Sequence, residues 1–487
     1  MSTASLRDPA GRLCIVGERV LRVVNHAGVA DLNAFLGSSV AQTFLDAEQI
    51  VSTTVLDADQ IVDLYGSATI KALLADPQAS MVVEHQRVAF ASFPYEWPAE
   101  MLHAAASLTL DLAEKLGAEG LGLKDASPYN VLFCGARPVF VDLLSFEKRE
   151  PCDPTWLPFA QFERTFLLPL LVNKRFGISI QQLLTTHRDG VEPEEVLSLC
   201  GPLQKLLPPF LTLVSIPAWL ARGKSSQSET IYQKKLVADP EKARFILGRV
   251  LESLRRKLAQ VTPSRNLESA WSNYVEKNNY SQDYVPAKQA LIEDVMRQFA
   301  PQRVLDVGCN TGHFSRIAAR EGASVVSIDY DPVVVGQVWR SARAAGLDIL
   351  PLVVNLARPS AAIGWRNQEC PSFLARARGH FDAVFMLAVI HHMLVSERIP
   401  LAEIVELAAE LTTDILVIEF VAPSDPMFRR ITRGRDHLFH ELTRESFEET
   451  CAIHFDIMRC ERLDVTDRWI YLMKKKGTVQ TCYEMPQ

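Results

Sequence analysis

The sequence predicts an α/β protein in which a C-terminal, mainly parallel sheet follows an α+β part with a helical lobe. Three observations carry this prediction. Residues 303–332 have the pattern of a strand, a tight turn, a helix and a second strand. Apolar strands and amphipathic helices then alternate as far as residue 476. Before residue 222, short β-rich segments come first and a long, mostly helical stretch follows.

The segment 303–312 carries the most information about function. Val304, Leu305 and Val307 are β-forming residues in a short apolar run. Gly308 and Gly312 bracket the turn at which the chain must reverse into a helix. Such a unit presents backbone N–H groups at the carboxyl edge of a parallel sheet, where open α/β folds bind nucleotides and related ligands. We therefore expect a ligand site at this turn.

The polar residues of the turn indicate the kind of ligand. A dinucleotide fingerprint would read Gly-x-Gly-x-x-Gly, whereas here Asp306 precedes the turn and Asn310 stands between the two glycines. Asn310 can replace a glycine because asparagine readily enters the left-handed backbone region. The pattern resembles the S-adenosylmethionine loop of class I methyltransferases, Asp-x-Gly-x-Gly-x-Gly, with its middle glycine replaced. Asp329, which ends the next strand, matches that family's ribose-binding acid, because a carboxylate can accept both ribose hydroxyls.

The resemblance covers about the last 200 residues and implies a Rossmann-like, seven-stranded methyltransferase sheet with S-adenosyl-L-methionine as cofactor. Beyond the strands at each end of 303–332, we expect strands at 350–354, 381–389, 415–420, 455–463 and 468–473. The residues that the resemblance assigns to the cofactor are Asp306, Gly308, Cys309, Asn310, Gly312, Asp329, Tyr330, Asn355 and Leu387. The alternative is an ordinary strand-helix-strand turn with a capping aspartate.

Methyl transfer to a hydroxyl or an ammonium group also requires a base. His391 and His392 follow the fourth strand, where the methyl group should point, and we expect one of them to face the cleft. Glu419, at the end of the fifth strand, is the next candidate. The alternative for the histidines is a role in packing alone.

Substrate contacts are expected from the insert between the fifth and sixth strands, which contains Arg429, Arg430, Arg433 and Arg435. In an acidic chain, a local arginine cluster indicates an anionic acceptor, and we assign this role to Arg433 and Arg435. A solvated helix face is the alternative. Tyr280 belongs to an aromatic-rich segment before the first strand, which is predicted to cover the cofactor as a lid or to pack between domains.

Composition excludes several other classes of protein. A net charge of -7 and a pI near 5.9 argue against a nucleic-acid partner. The nine cysteines form no Cys-x-x-Cys pair and no Cys/His cluster at metal-binding spacing, so we expect reduced thiols, no metal and a cytoplasmic protein. The first eight residues have no apolar core, and no run of eighteen apolar residues occurs, so neither a signal peptide nor a transmembrane segment is expected.

A second motif lies in the N-terminal half. Asp125 and Asn130 have the spacing Asp-x-x-Pro-x-Asn, and Asp142 follows the next apolar strand. This pattern resembles the catalytic loop and metal-binding aspartate of the protein kinase and aminoglycoside phosphotransferase superfamily. The resemblance implies that Asp125 orients a hydroxyl while Asn130 and Asp142 hold magnesium. However, Leu123 replaces the family's histidine and a glycine-rich phosphate loop is absent, which favours an inactive kinase-like domain.

One apolar stretch, from Leu206 to Leu220, is followed by Arg222 and Lys224. Its three prolines prevent a regular helix throughout. We expect a buried, kinked part of a helical subdomain, and the alternative is an interfacial membrane anchor.

These elements predict a kinase-like domain at 1–221, with a β-rich lobe to about 98 and a helical lobe from 99. Within it we expect a helix over 35–51 and a strand pair over 81–92. A linker and helix should follow at 222–268, and the methyltransferase domain with its lid at 269–476. The order of the two domains also resembles nodulation-type bacterial methyltransferases.

The predicted function is S-adenosylmethionine-dependent methylation of a small molecule, a glycan or a carrier-bound intermediate. The sequence lacks the Asn/Asp-Pro-Pro-Tyr/Phe motif of nucleic-acid amino-methyltransferases after the fourth strand. The kinase-like domain would recognise substrate or support assembly, for example as a homodimer. The alternative is a bifunctional kinase-methyltransferase that modifies one acceptor.

Overall fold

The structure is a computed structural model that describes residues 2–3, 8–66, 68, 73–223, 236–265, 267–269, 284–463 and 467–477. The chain divides into two compact units. The N-terminal unit comprises Met1–Leu267 together with Ile363–Cys370, and the C-terminal unit comprises Glu268–Ala362 and Pro371–Gln487.

The N-terminal unit begins with a five-stranded antiparallel sheet in the order β1-β2-β3-β5-β4. Cys14, Leu21, Val23 and Val82 are buried on one face of it, where they form an apolar cluster. Two smaller two-stranded sheets follow, β6 with β9 and β7 with β8. The strands are β1 Ser2–Thr3, β2 Gly11–Val16, β3 Arg19–Asn25, β4 Thr53–Leu56, β5 Ala79–His85, β6 Leu121–Leu123, β7 Val131–Cys134, β8 Arg137–Phe140 and β9 Phe146–Lys148.

The rest of the N-terminal unit is mainly helical, which agrees with the predicted α+β character. Its longest apolar helix is α4, in which Met101, Leu102, Leu108 and Leu112 are buried. The described helices of this unit are α1 His26–Leu36, α2 Ser39–Asp46, α3 Ala58–Tyr65, α4 Ala99–Leu116, α5 Phe159–Phe162, α6 Leu168–Phe176, α7 Ile180–Thr186, α8 Pro193–Leu199, α9 Ile216–Gly223 and α10 Pro240–Gln260.

Two local predictions in this unit were wrong. The helix expected over 35–51 is interrupted after α1, because the Ser38 hydroxyl accepts a hydrogen bond from the Ala41 N–H and starts α2 as its N-cap. The strand pair expected over 81–92 is the single strand β5, which already pairs with β3 and β4 on its two sides.

The C-terminal unit contains the seven-stranded sheet that the sequence predicted, in the order β12-β11-β10-β13-β14-β16-β15. The first five of these strands run parallel, and β16 lies antiparallel between β14 and β15. The strands are β10 Arg303–Val307, β11 Ser324–Asp329, β12 Ile349–Val353, β13 Phe381–Met386, β14 Thr412–Val421, β15 Phe455–Arg462 and β16 Arg468–Lys475.

Helices connect these strands, and their apolar faces pack on the sheet. In α13, for example, Val334, Val335, Val338 and Ala342 are buried at helical spacing. The described helices of this unit are α11 Tyr284–Phe299, α12 His313–Arg320, α13 Pro332–Ala345, α14 Phe373–Ala377, α15 Ile390–Val395, α16 Leu401–Leu411, α17 Pro426–Thr432 and α18 Arg444–Cys451.

The parallel strands β10 to β13 end along one edge of this sheet. Gly308, Tyr330, Val354 and Leu387 are among the first residues beyond those four ends. Because the connections leave the sheet here, this edge is where the fold places its ligand cleft.

Candidate active site

A cavity of about 730 Å³ lies at this carboxyl edge, and the loops after β10, β11, β12 and β13 all contribute to its wall. Its volume falls in the range of small-molecule sites. Eight of the nine residues predicted to contact the cofactor line it: Asp306, Gly308, Cys309, Asn310, Asp329, Tyr330, Asn355 and Leu387. The ninth, Gly312, is the residue that precedes α12.

The turn after β10 requires glycine at both ends. Gly308 has a φ of 67°, and a Cβ built there would lie 2.5 Å from a methyl group of Val389. Gly312 has a φ of 75°, and its Cβ would lie 2.9 Å from a methyl group of Val338. Asn310 takes a φ of 50°, so it occupies the left-handed region expected from its place in the pattern.

Asp329 joins two loops at the edge of the cavity. One carboxylate oxygen accepts the Asn310 N–H at 3.1 Å, and the other accepts the Asp331 N–H at 3.0 Å. Burial raises the pKa of Asp329 to about 6, although these backbone N–H groups oppose the shift. Each oxygen retains further acceptor capacity toward a ligand.

Asp306 is 2% exposed and lies in β10, two residues before Gly308. It accepts a hydrogen bond from the Ser315 hydroxyl on α12, which in turn accepts one from Ser327 on β11 at 2.8 Å. Burial raises the pKa of Asp306 to about 7, and the nearby Asp329 adds to the shift. The Asp306–Ser315 contact therefore fixes the start of α12 relative to the strand.

The turn fits the polar end of a ligand. The side-chain oxygen of Asn310 is buried and has no hydrogen-bond partner within the described part of the chain, although buried amide oxygens are normally paired. Beside it, the backbone of Gly308 lines the cavity. Asn355, at the far side of the cavity, folds its own loop by accepting the Ala357 N–H at 2.9 Å.

The two histidines at the start of α15 have different environments. His392 lines the cavity, and burial followed by the charge of Arg468 lowers its pKa. His391 is 1% exposed and lies off the cavity lining, with its ring centroid 4.3 Å from that of His392. Burial holds the pKa of His391 well below its usual value, so its imidazole is neutral.

A buried polar cluster closes the cavity on the side of β14. Lys288 Nζ donates to Glu419 Oε2 and to the Tyr284 hydroxyl, both at 2.5 Å. Tyr284 donates to Glu419 Oε1 at 2.7 Å and accepts from Arg468 at 2.7 Å, and Arg468 also pairs with Asp425 at 2.8 Å. We call these five residues the Lys288 cluster.

The charges of the Lys288 cluster balance, with two cations and two carboxylates. Burial alone would raise the pKa of Glu419, but Lys288 and Arg468 together hold it below the usual value. Glu419 is fully buried and does not line the cavity, whereas Tyr284 and Lys288 do.

Sequence reasoning missed Lys288, Arg468 and Asp425 as members of the site. A signal for Lys288 existed, because it falls on the apolar face of α11, in helical register with the buried Leu291 and Ile292. A lysine at such a position needs a buried partner.

The predicted substrate residues lie elsewhere. Arg433 and Arg435 are exposed just beyond α17 and do not line the cavity. However, α17 packs against α15, which carries His392. Tyr280 lies outside the described residues.

The kinase-like motif of the N-terminal unit forms one hydrogen-bonded group. Asn130 donates to the Asp125 carbonyl at 3.4 Å and to Ser145 at 3.2 Å, and Ser145 donates to Asp142 at 2.7 Å. The other Asp142 oxygen accepts from Arg22 on β3. Burial alone would raise the pKa of Asp142, but the Arg22 guanidinium holds this pKa below its usual value.

Among the residues that the structure describes, no group of three or more His, Cys, Asp or Glu side chains could hold a metal ion. None of the helices placed by the structure is both long enough and apolar enough to cross a membrane.

Known proteins that are similar to this chain include methyltransferases, in agreement with the cavity described above. The methyltransferase-domain family matches residues 281–452. Nodulation protein NoeA of Rhizobium meliloti is 27% identical over 97% of this chain and 95% of its own length. Ubiquinone biosynthesis O-methyltransferase of Xanthomonas oryzae pv. oryzae is 34% identical, over 23% of this chain and 37% of that protein.

Among solved structures, the N-methyltransferase NodS from Bradyrhizobium japonicum in complex with S-adenosylhomocysteine is similar. It is 13% identical and covers 46% of this chain and 98% of its own, with a TM-score of 0.32. A likeness at that level says nothing about the acceptor. The matched family, the sheet order and the cavity at the turn after β10 agree on one class of enzyme. The chain carries a methyltransferase domain in its C-terminal part and is an S-adenosylmethionine-dependent methyltransferase.

Proposed function

We propose that the C-terminal unit methylates a hydroxyl oxygen of a small molecule, a glycan or a carrier-bound intermediate. The observation that carries this proposal is the position of His392, which lines the cofactor cavity beside the Lys288 cluster. The shared name of the Xanthomonas relatives, an O-methyltransferase, supports oxygen as the acceptor atom.

S-adenosylmethionine, when bound, supplies an electrophilic methyl group on a sulfonium sulfur. The chain has to hold and orient this donor and to take a proton from the acceptor. Asp329 would accept the ribose hydroxyls, and the cavity-lining turn at Gly308 and Asn310 would contact the donor beside it. His392 would accept the proton that the acceptor hydroxyl loses as its oxygen bonds to the methyl carbon.

Binding of S-adenosylhomocysteine tests the cofactor site. Isothermal titration should give micromolar binding to the wild type and a loss of at least about tenfold in Asp329→Ala, because two hydrogen bonds to a charged acceptor are removed. Asp348→Ala is the matched control, since Asp348 is exposed before β12 and does not line the cavity. Equal affinity in all three proteins would contradict the assignment of Asp329.

The acceptor class needs a separate experiment. Transfer of a labelled methyl group should be measured with a panel of hydroxyl, amine and carboxylate acceptors, presented free and as glycans. Turnover restricted to hydroxyl compounds is the expected result. Turnover restricted to amines would overturn the proposed acceptor atom without affecting the cofactor site.

We also propose that the anionic part of the acceptor binds Arg433 and Arg435. The packing of α17 against α15 supports this, because both arginines follow α17 and α15 carries His392. Arginine forks bind carboxylate and phosphate groups with two parallel hydrogen bonds.

For the N-terminal unit we propose a kinase-like fold that recognises substrate or supports assembly and does not transfer phosphate. The pairing of Arg22 with Asp142 supports this, because the arginine takes the carboxylate that would bind magnesium in an active relative. Millimolar ATP with magnesium should leave the melting temperature unchanged. A clear upward shift would favour the bifunctional alternative, since a ligand that binds the folded state stabilises it.

A further inference from the structure

The segment 199–220 of the N-terminal unit concentrates exposed apolar side chains. Leu203 is 77% exposed and Leu220 61% exposed, although large apolar side chains normally contribute to a core. Seven such side chains fall within this segment, and we call them the apolar patch: Leu199, Leu203, Leu206, Leu207, Ile216, Trp219 and Leu220.

The members of the apolar patch are brought together by the fold. The Ser215 hydroxyl donates to the Lys205 carbonyl at 2.7 Å, which places the turn at 204–206 beside the start of α9. Helix α8, which ends at Leu199, packs on α9 as well. The exposed side chains therefore belong to one surface region.

The segment around α9 carries apolar side chains on both its inner and its outer face. Leu213, Val214 and Ala218 are buried, as expected for the stretch from Leu206 to Leu220. The prediction that the whole stretch is buried was wrong for the members of the apolar patch within it, which are exposed. Ile216, Trp219 and Leu220 recur at helical spacing on the outer side of α9, where a surface helix normally carries polar residues. The outer stripe is thus exposed among the residues that the structure describes, and clustered exposed apolar side chains mark interaction sites.

Along the sequence, the charged residues next to the apolar patch have one sign. No Asp or Glu occurs from 196 to 228, although the chain contains 58 of them and has a net charge of -7. The charged residues of that stretch are Lys205, Arg222 and Lys224. The nearest acid before it, Glu195, lies at the opposite end of α8 from Leu199 and pairs with His187.

We propose that the apolar patch docks on the surface of an anionic lipid bilayer. Leucine and isoleucine side chains would enter the boundary between headgroups and acyl chains, with Trp219 at the headgroup level. Lys205 would meet the negative surface potential. A second copy fits less well, because a twofold interface would bring the same cations of both copies together.

Vesicle sedimentation with the full-length chain tests this proposal. The protein should pellet with vesicles of phosphatidylcholine that contain a third phosphatidylglycerol, and much less with phosphatidylcholine alone. Raising the salt concentration should weaken the binding, because ionic strength screens the electrostatic part. The double variant Trp219→Ser/Leu220→Ser should partition at least about tenfold more weakly, since it removes two large apolar side chains that the bilayer would bury.

The matched control is Ile453→Ser/Met458→Ser, which removes two exposed apolar side chains of the C-terminal unit, 66% and 47% exposed. It should bind vesicles like the wild type. Lys205→Gln should weaken the preference for anionic vesicles while it keeps the thermal melting curve of the wild type.

Three outcomes would overturn the proposal. The first is that the wild type does not pellet with anionic vesicles. The second is that the control variant loses binding as strongly as the Trp219 variant. The third is a concentration-dependent dimer, seen by light scattering, that Trp219→Ser/Leu220→Ser abolishes while vesicle binding is absent, which would assign the apolar patch to a second copy.

Discussion

Lys288 Nζ lies 2.5 Å from Glu419 Oε2, and both side chains are almost completely removed from solvent. The two residues are 131 positions apart, on α11 and on β14. Their contact fixes the helix that precedes the sheet against the strand next to β13. Because Lys288 also lines the cavity, the wall of the active site depends on this ion pair.

The first prediction concerns the stability of that contact. Lys288→Met should lower the free energy of unfolding by about 3–5 kcal/mol, because it leaves Glu419 buried with one cation fewer. Urea unfolding followed by circular dichroism measures the change. Arg297→Met, which breaks an exposed ion pair of the same helix, is the control and should cost less than about 1 kcal/mol. The double variant Lys288→Met/Glu419→Leu should recover part of the loss, and a strictly additive loss would argue against coupling.

The second prediction is a pH dependence of cofactor binding. The pKa of Asp329 lies at about 6, and the charged carboxylate is the better acceptor for ribose hydroxyls. The affinity for S-adenosylhomocysteine should therefore fall as the pH decreases from 8 to 5, with its midpoint near the pKa of Asp329. In Asp329→Asn the affinity should be low and flat over the same interval. A slope that persists in this variant would assign the dependence to another group.

The same pKa shifts affect the stability of the free protein in the opposite direction, since protonation weakens cofactor binding but stabilises the fold. Asp306 and Asp329 have folded pKa values of about 7 and about 6, above the ordinary value of an unfolded aspartate. The folded state thus binds protons more tightly, so their contribution to stability should increase as the pH falls from about 7 toward about 4. Comparison of wild type with Asp329→Asn by thermal melting across this interval measures that contribution.

The third prediction separates the two histidines. His392→Ala should reduce kcat by about 10²–10⁴-fold with little change in the KM of the acceptor, because a general base acts in the transition state. His391→Ala should leave kcat nearly unchanged and lower the melting temperature, because it opens a cavity beside a buried ring. The two rate profiles against pH provide the control: only the His392 variant should lose the limb that reports the base. A large loss of kcat in His391→Ala, with little change in His392→Ala, would show that the base is His391.

The fourth prediction addresses the kinase-like motif. Asp142→Ala and Arg22→Ala should each destabilise the N-terminal unit, and the double variant should lose little more than either single one, since the two side chains pair. The rate of methyl transfer should be unchanged in all three. An ATP-dependent phosphorylation of the acceptor that Asp142→Ala abolishes would instead establish the bifunctional alternative.

The fifth prediction concerns the exposed arginines. Arg433→Ala/Arg435→Ala should raise the KM of an anionic acceptor by about tenfold or more and leave kcat similar, because the loss of charged hydrogen bonds weakens binding in the ground state as well as in the transition state. Arg429→Ala/Arg430→Ala, on the exposed side of the adjoining helix, is the matched control. Equal kinetics of the two double variants would exclude a specific role for Arg433 and Arg435.

The sheet and its turn were predictable because their signals are local. Val304, Gly308, Asn310 and Asp329 stand within one strand-turn-helix-strand unit, and the glycine conformations follow from spacing alone. The apolar runs indicated the individual strands, and the resemblance to class I methyltransferases predicted that they form a seven-stranded sheet.

The Lys288 cluster could not be predicted in the same way. It joins α11, β14 and the first residue of β16. A local sequence pattern does not indicate which charged residues of elements far apart in the chain will form ion pairs. The sequence also left open which histidine faces the cavity. His391 and His392 are adjacent, and the backbone conformation after β13 determines which of the two side chains points toward the cavity. The two breaks near Gly37 and Gln86 depended on a side-chain cap and on strand partners that only the assembled sheet supplies.

The placement of β16 between β14 and β15 has a consequence for synthesis on the ribosome. This strand is the last of the described strands along the chain, yet it occupies an interior position. It can pair with β14 only after residue 475 has been translated and has emerged. Arg468, its first residue, then completes the ion pairs with Glu419 and Asp425. The Lys288 cluster is therefore completed only when β16 has been made, whereas β10 and β11, which flank the turn with Gly308, are made more than 100 residues earlier.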